Sequence, residues 1–122
     1  MIDHVSVAVR DLAAAMRFYD ALLAVLGYRR LDTRPATAGY GKKYSEFWIN
    51  VRTDIFESNG THVCLRARST DIVDAFHAAA LKAGGTSDGA PGLRPPHGDN
   101  YYAAFIRDPD GNRIEAVTFV GQ

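Results

Sequence analysis

The spacing of hydrophobic residues changes early in the chain from every second position to a helical repeat. From Asp3 to Val9, three valines alternate with histidine, serine and alanine, which predicts a strand with one apolar and one polar face. Apolar side chains then recur at helical spacing from Leu12 to Leu26. Asp11 is placed to cap this helix and Gly27 to end it.

Two more strands are predicted in the first half of the chain. Tyr28 to Arg34 is closed by a proline, and Ser45 to Arg52 alternates between two sets of side chains. Residues 36–43 contain glycine and are expected to form a connection, while residues 54–61 are turn-rich and link to a second half. One face of the strand Ser45–Arg52 carries Glu46, Trp48 and Asn50.

The second half of the chain repeats the first at an offset of 58 positions. The matching pairs are His4/His62, Val5/Val63, Arg10/Arg68, Phe18/Phe76, Ala21/Ala79, Leu23/Leu81 and Gly27/Gly85. The repeat predicts a strand over residues 62–67, an N-cap at Asp71, a helix from Ile72 to Ala83 and a stop at Gly84 and Gly85. Since one repeat cannot bury its own sheet face, we expect residues 1–57 and 58–122 to form one domain about a pseudo-two-fold axis.

The end of the chain contains an anomalous charge. Residues 87–100 are crowded with glycine and proline, which favours a functional loop. Strands are predicted over Tyr101–Arg107 and Ile114–Val120, joined by the turn Asp108–Asn112. Glu115 shares a face of the last strand with valine and phenylalanine, where a carboxylate is costly unless a cation or hydrogen-bond donors meet it. We therefore expect a partner for Glu115.

Composition sets the class of protein. The 122 residues are 47% hydrophobic and 23% charged, values typical of one folded domain. Fourteen basic and fourteen acidic residues cancel, so the charge gives no reason to expect nucleic acid or a membrane as partner. A single cysteine and the lack of a signal-like or membrane-spanning segment favour a cytoplasmic protein.

Three polar side chains suggest a metal site. His4 and His62 occupy equivalent positions of the repeat, so an axis between the halves would bring them together with Glu115. Two imidazoles and a carboxylate are suitable ligands for a divalent ion such as Zn, Ni, Mn, Co or Fe. The alternative is that each histidine is an ordinary surface or hydrogen-bonded residue at a strand start.

These residues resemble a known family. His4-Val5, the segment from Arg10 to Tyr19, Gly27, His62-Val63 and the closing segment from Asp108 to Glu115 are similar to motifs of the vicinal oxygen chelate superfamily, which includes glyoxalases, bleomycin-resistance proteins and dioxygenases. The resemblance covers essentially the whole chain. It implies an α+β fold of two βαβββ modules, with curved mixed sheets around a central cavity and helices outside. It also implies a homodimer, metal ligation by His4, His62 and Glu115, and a catalytic role for Glu115.

One departure from the family bears on the reaction. Glyoxalase I has a second glutamate on its third strand, as metal ligand and proton-transferring base, and the comparable position here is Trp48 or Asn50. The resemblance implies a glyoxalase-like lyase, isomerase or transferase in which a metal acts as Lewis acid on a small oxygenated substrate. The alternative is a metal-free protein that sequesters a small molecule, as bleomycin-resistance proteins do.

Several further side chains are candidates for binding that substrate, which the loop cations favour as an anion. They are Trp48, Asn50, Arg66, Arg94, Tyr101 and Tyr102, with His97 nearby and Tyr40, Lys42 and Lys43 in the first half. Cys64 lies between His62 and Arg66 on one face of the strand, and we expect it to be a small buried residue.

Overall fold

The fold is described by a computed structural model that covers residues 1–54 and 60–121. Each half has the order strand, helix, strand, strand, strand. The first half contains β1 (Val5–Val9), α1 (Leu12–Val25), β2 (Arg29–Thr33), β3 (Thr37–Gly41) and β4 (Phe47–Val51). The second contains β5 (His62–Arg66), α2 (Thr70–Lys82), β6 (Thr86–Leu93), β7 (Tyr101–Arg107) and β8 (Arg113–Phe119), with a short 3-10 helix at Pro95–His97.

The two halves form two sheets of identical topology. The strand orders are β1-β4-β3-β2 and β5-β8-β7-β6. In each sheet the first and last strands of the half run parallel and the other pairs run antiparallel. This confirms the predicted α+β fold of two βαβββ modules, in which the sheets are mixed and do not close. The predicted boundary between residues 57 and 58 lies outside the described residues.

The caps of the two helices are equivalent, although one was predicted at the wrong residue. Asp11 caps α1 as expected and accepts a hydrogen bond from the amide of Ala14 at 2.9 Å. In α2 the cap is Ser69, which accepts from the amide of Ile72 at 3.2 Å, while Asp71 lies in the first turn. Serine and aspartate are both good N-caps, so composition alone could not choose between them.

Two strands replace segments that were predicted to be loops. β3 lies within the expected connection 36–43, and β6 begins at Thr86 and takes up the first part of the glycine- and proline-rich segment 87–100. β6 is an edge strand with register irregularities between Ser87 and Gly92. Edge strands and bulges are the places in a sheet where proline and glycine are tolerated.

The helices and the apolar faces of both sheets share one core. α1 packs on β2, β3 and β4, α2 packs on β6, β7 and β8, and the helices contact each other. The largest fully buried side chains are Tyr19, Tyr40, Phe18, Phe47, Phe76, Leu22, Leu23, Ile49, Ile106, Ile114, Val9 and Val73. Because the helices cover one face of each sheet, the other faces are left for the candidate site. No helix in the described part of the chain is long and apolar enough to cross a membrane.

The turn between β7 and β8 joins the two halves. Asp108 is buried and accepts hydrogen bonds from the hydroxyl of Tyr19 at 2.5 Å and from the side-chain nitrogen Nδ2 of Asn112 at 2.8 Å. The same Asn112 nitrogen donates to the carbonyl of Ala8 at 2.8 Å. Since Tyr19 and Ala8 belong to the first half, this turn fixes β8 of the second half relative to β1.

Candidate functional site

Glu115 lies in the middle of the second sheet, on the face that no helix covers. Its strand β8 runs between β5 and β7, where Glu115 pairs with Cys64 on one side and Phe105 on the other. Neighbouring paired residues project from the same face of a sheet. Glu115 is only 3% exposed, so its carboxylate is held below the surface of this face, as the alternation of the sequence predicted.

Both oxygens of the Glu115 carboxylate have partners. His62 Nε2 lies 2.8 Å from Oε1, and the hydroxyl of Tyr101 donates to Oε2. The thiol of Cys64 also lies within hydrogen-bonding reach of Glu115 and Tyr101. The expected partner of the buried charge is therefore a cluster of three side chains.

Burial and the neighbouring carboxylate keep two members of this cluster protonated. Desolvation, followed by the charge and hydrogen bond of Glu115, raises the pKa of the Cys64 thiol to about 12. Desolvation and the hydrogen bond to Glu115 also raise the pKa of Tyr101 above its ordinary value. Tyr101 is thus a stable hydrogen-bond donor to the carboxylate at neutral pH. Cys64 was expected to be a small buried residue, and this prediction was wrong, because the residue is exposed.

His4 lies apart from this cluster, one residue before β1. Its Nδ1 is 2.7 Å from Asp3 Oδ1, and its side chain is 56% exposed. His4 and His62 line one cleft of about 360 Å³, together with Cys64. Among the described residues, no three histidine, cysteine, aspartate or glutamate side chains are grouped as ligands of one ion. The structure therefore brings together His62 and Glu115, and places His4 at the same cleft.

The first sheet carries a tryptophan at the position of Glu115. Trp48 pairs with Ser6 on β1, just as Glu115 pairs with Cys64 on β5, and Ser6 and Cys64 are equivalent in the repeat. The indole lies close to Gly39, where an added Cβ atom would be 3.0 Å from the ring. With Asn50 and His4 it lines a second cleft, of about 510 Å³.

Both of the predicted substrate-binding arginines lie on the same face as Glu115. The guanidinium of Arg66 is 4.5 Å from the ring centre of Phe119, and that of Arg94 is 5.4 Å from the ring centre of Phe105. Sequence reasoning missed Phe105 as part of this face, because only the strand register shows that it lies opposite Glu115.

The remaining candidates lie elsewhere. Tyr102 points to the opposite face of β7 from Tyr101, and its hydroxyl donates to Asp74 of α2 at 2.6 Å. Tyr40 is fully buried and donates to Asp20 at 2.8 Å. Lys42 lies over the ring of Tyr28, and Lys43 is exposed. We therefore leave these four residues out of the site. His97 stays near it, 5.1 Å from Tyr101 between ring centres.

The donor atoms of the cluster fit part of a metal site. An imidazole nitrogen and a carboxylate oxygen in contact are ligand types that divalent transition metals accept. An ion bound here would be held by His62 Nε2 and Glu115 Oε1, which lie 2.8 Å apart. Two protein ligands are fewer than the three of a typical catalytic zinc site, so a further ligand is required.

The comparison with protein families gives the same fold. The family model described as Glyoxalase/Bleomycin resistance protein/Dioxygenase superfamily matches residues 1–116. The chain belongs to this superfamily. A comparison with curated proteins found no match.

Solved structures agree with this membership. A glyoxalase/bleomycin resistance protein from Albidiferax ferrireducens T118 is 36% identical, with a TM-score of 0.85 over 94% of this chain and 96% of that chain. A glyoxalase I mutant from Zea mays is 25% identical, with a TM-score of 0.72 over 93% of this chain and 44% of that chain. A fosfomycin resistance protein from Mesorhizobium loti is 16% identical, with a TM-score of 0.72 over 99% of this chain and 93% of that chain, and supports the fold alone.

Proposed function

We propose that this protein is a metal-dependent enzyme of the glyoxalase type, with His62 and Glu115 as two ligands of a divalent ion. The observation that carries the proposal is the buried Glu115 carboxylate, 3% exposed and 2.8 Å from His62, on a sheet face free of helices. Burying a carboxylate costs free energy unless partners meet it, and such groups are concentrated at functional sites.

The bound ion would supply Lewis acidity toward adjacent oxygens of a small substrate. The protein's own side chains have separate tasks at this face. His62 and Glu115 hold the ion, and Tyr101 orients the second oxygen of the carboxylate. Phe105 and Phe119 provide an apolar floor on which a substrate can lie.

His4 is the third ligand in this proposal. It shares a cleft with His62 in one chain, and in a homodimer the His4 of a second copy could occupy the same place. Mixing the variants His4→Asn and His62→Asn separates the two arrangements. If the site is shared, the mixture recovers metal binding in hybrid dimers, whereas a site within one chain gives no recovery.

A metal-free binding protein is the second candidate, and one observation favours it. The described residues form no group of three ligands within a single chain, while the cleft beside Trp48 and Asn50 has room for a small molecule. In this function the small molecule would lie in that cleft, and the His62–Glu115 pair would hold no ion.

Metal analysis distinguishes the two functions. We expect the purified protein to contain a divalent ion, and calorimetric titration of chelated protein to show one site. His62→Asn or Glu115→Gln should weaken binding more than about 100-fold, beyond the loss usual for residues outside the ligand set. His77→Asn is the control, since His77 bonds Ser87 away from this face. Wild-type protein that neither contains nor binds metal would favour the binding protein.

A further inference from the structure

An arginine follows the second strand of each half, and both arginines have the same surroundings. Arg34 comes directly after β2 and Arg94 directly after β6. The amide of Arg34 donates to the carbonyl of Thr37 at 2.9 Å, and that of Arg94 donates to the carbonyl of Tyr101 at 2.8 Å. Each amide thus bonds the first residue of the next strand. The two arginines are equivalent in the fold, although they do not match at the offset of 58 positions.

Each guanidinium lies over an aromatic ring on the candidate face of its sheet. Arg34 is 5.0 Å from the ring centre of Trp48, and Arg94 is 5.4 Å from that of Phe105. The ring of His62, which contacts Glu115, is 6.3 Å from the same Phe105 ring. Arg94 is therefore a neighbour of the proposed metal ligands through one shared ring.

The second sheet is shaped to hold Arg94 in this place. A Cβ atom at Gly89 would lie 3.3 Å from Arg94 Nη2, and one at Gly92 would lie 3.1 Å from Arg94 Nη1. Both distances are tighter than ordinary contacts, so the two glycines leave a groove along β6. The guanidinium also donates to the carbonyls of Ala90 and Leu93. These contacts fix its orientation before any ligand arrives.

Among the described residues, no neighbouring acid neutralises the charge of Arg94. Within residues 1–54 and 60–121, no carboxylate forms an ion pair with Arg94 or Arg34, and Asp88, the acid on β6, pairs with Arg107 and Arg113. An arginine has five N–H donors, and two backbone carbonyls leave several of them available. A guanidinium edge binds carboxylate and phosphate groups in a bidentate manner.

We propose that the substrate carries a distal anionic group, a carboxylate or a phosphate, and that Arg94 binds it. Arg34 occupies the corresponding position in the first half. This inference rests on the proposed function for the location of the reacting oxygens beside His62 and Glu115. It assigns the substrate to oxygenated small molecules with a second negative charge. Arg94 is a specificity-determining residue in this assignment.

Two matched pairs of 2-hydroxy acids test the proposal. Lactate and malate differ by a distal carboxylate, and glycerate and 3-phosphoglycerate differ by a distal phosphate. Calorimetry on metal-loaded wild-type protein should show about tenfold tighter binding of malate than of lactate, or of 3-phosphoglycerate than of glycerate. Arg94→Met should abolish this gain and leave the binding of lactate and glycerate within about twofold. Arg107→Met, which removes a guanidinium already paired with Asp88, should retain the gain.

Each result supports or overturns the assignment. The inference is overturned if neither malate nor 3-phosphoglycerate binds more tightly to the wild type than its partner does, or if Arg94→Met retains the gain. The pair that shows the gain tells whether the distal group is a carboxylate or a phosphate. Repeating the titrations on chelated protein separates the two proposals. A gain that depends on Arg94 without any need for metal supports the role of Arg94 and counts against the metal-dependent function.

Discussion

Trp48 in the first half and Glu115 in the second occupy the same position of equivalent sheets. Their cross-strand neighbours, Ser6 and Cys64, are also equivalent. An indole has no atom suited to hold a divalent ion, whereas a carboxylate is a common ligand. Two copies of one backbone therefore carry different chemistry on the same face. The second half has the polar cluster, and the first has a flat aromatic surface.

The hairpin turns of the two halves differ in a similar way. The turn after β3 folds back on its own strand, where a Cβ atom at Gly41 would lie 1.8 Å from the carbonyl of Tyr44. The turn after β7 instead reaches the other half, through Asp108 and Asn112. The second half thus provides two of the proposed ligands, His62 and Glu115, and the contacts that fix their position. The first half contributes mainly the surface against which they are fixed.

The largest expected effect is on the rate of turnover, when Trp48 of the first half is replaced by glutamate. Without a base at position 48, wild-type protein loaded with metal should turn over the glutathione hemithioacetal of methylglyoxal with kcat/KM below about 10⁴ M⁻¹s⁻¹. Trp48→Glu should exceed Trp48→Gln by roughly 100-fold or more, because a positioned general base contributes about 10² to 10⁴ in rate. Steady-state assays measure both. Wild-type turnover above that limit would show that the protein has a proton-transferring base although position 48 is a tryptophan.

The second effect concerns stability at the turn that joins the halves. Asp108 accepts four hydrogen bonds, from the Tyr19 hydroxyl, the side chain of Asn112 and the amides of Asp110 and Asn112. Burial raises its pKa, although these bonds act in the opposite direction. Asp108→Asn turns an acceptor into a donor facing donors, and should lower the free energy of unfolding by roughly 2 to 4 kcal/mol.

Asp110→Asn is the matched control for that change. Asp110 lies in the same turn and pairs with Arg10 at the surface, through the backbone amide and the guanidinium. An asparagine oxygen can still accept the amide, and surface ion pairs contribute little. Denaturant unfolding should therefore show a loss below about 1 kcal/mol. Equal losses of unfolding free energy in the two variants would contradict the interpretation that the hydrogen bonds of Asp108 hold the two halves together.

The sequence predicted the polar cluster better than the surfaces around it. Glu115 was found because a charge in an alternating apolar strand is unusual, and His62 because the repeat matches it to His4. β3 and β6 were missed because their glycines resemble those of loops. In the structure these glycines make room for the side chains of Trp48 and Arg94, a requirement that depends on how side chains pack across the folded sheets. The distance between His4 and the cluster likewise depends on packing between the halves, which no local pattern encodes.

The third effect concerns Cys64, whose equivalent in the first half is Ser6. With its pKa raised to about 12 by desolvation and by Glu115, the thiol should react with iodoacetamide at pH 8 at least about 100-fold more slowly than in urea-unfolded protein. The experiment uses chelated protein, and the rate should rise with pH without a plateau below about pH 11. Glu115→Gln removes the neighbouring charge and should accelerate the reaction several-fold. A fast reaction in the folded wild type would place the thiol outside the cluster.

The smallest effect separates two adjacent tyrosines on opposite faces of β7. The hydroxyl of Tyr101 donates to Glu115, and that of Tyr102 donates to Asp74 on α2. Each substitution by phenylalanine removes one hydroxyl and one hydrogen bond to a carboxylate, so the two variants are closely matched. If Tyr101 orients a ligand, Tyr101→Phe should weaken metal binding by about tenfold, the lower end of the range for residues that support ligands. Tyr102→Phe should leave the metal affinity within about twofold of the wild type.

Calorimetric titration with Co²⁺ gives both affinities, and the visible spectrum of bound Co²⁺ reports ligand geometry, which Tyr101→Phe alone should alter. Because a general loss of stability would affect both variants, equal changes would remove Tyr101 from the site and leave its hydrogen bond to Glu115 a structural contact.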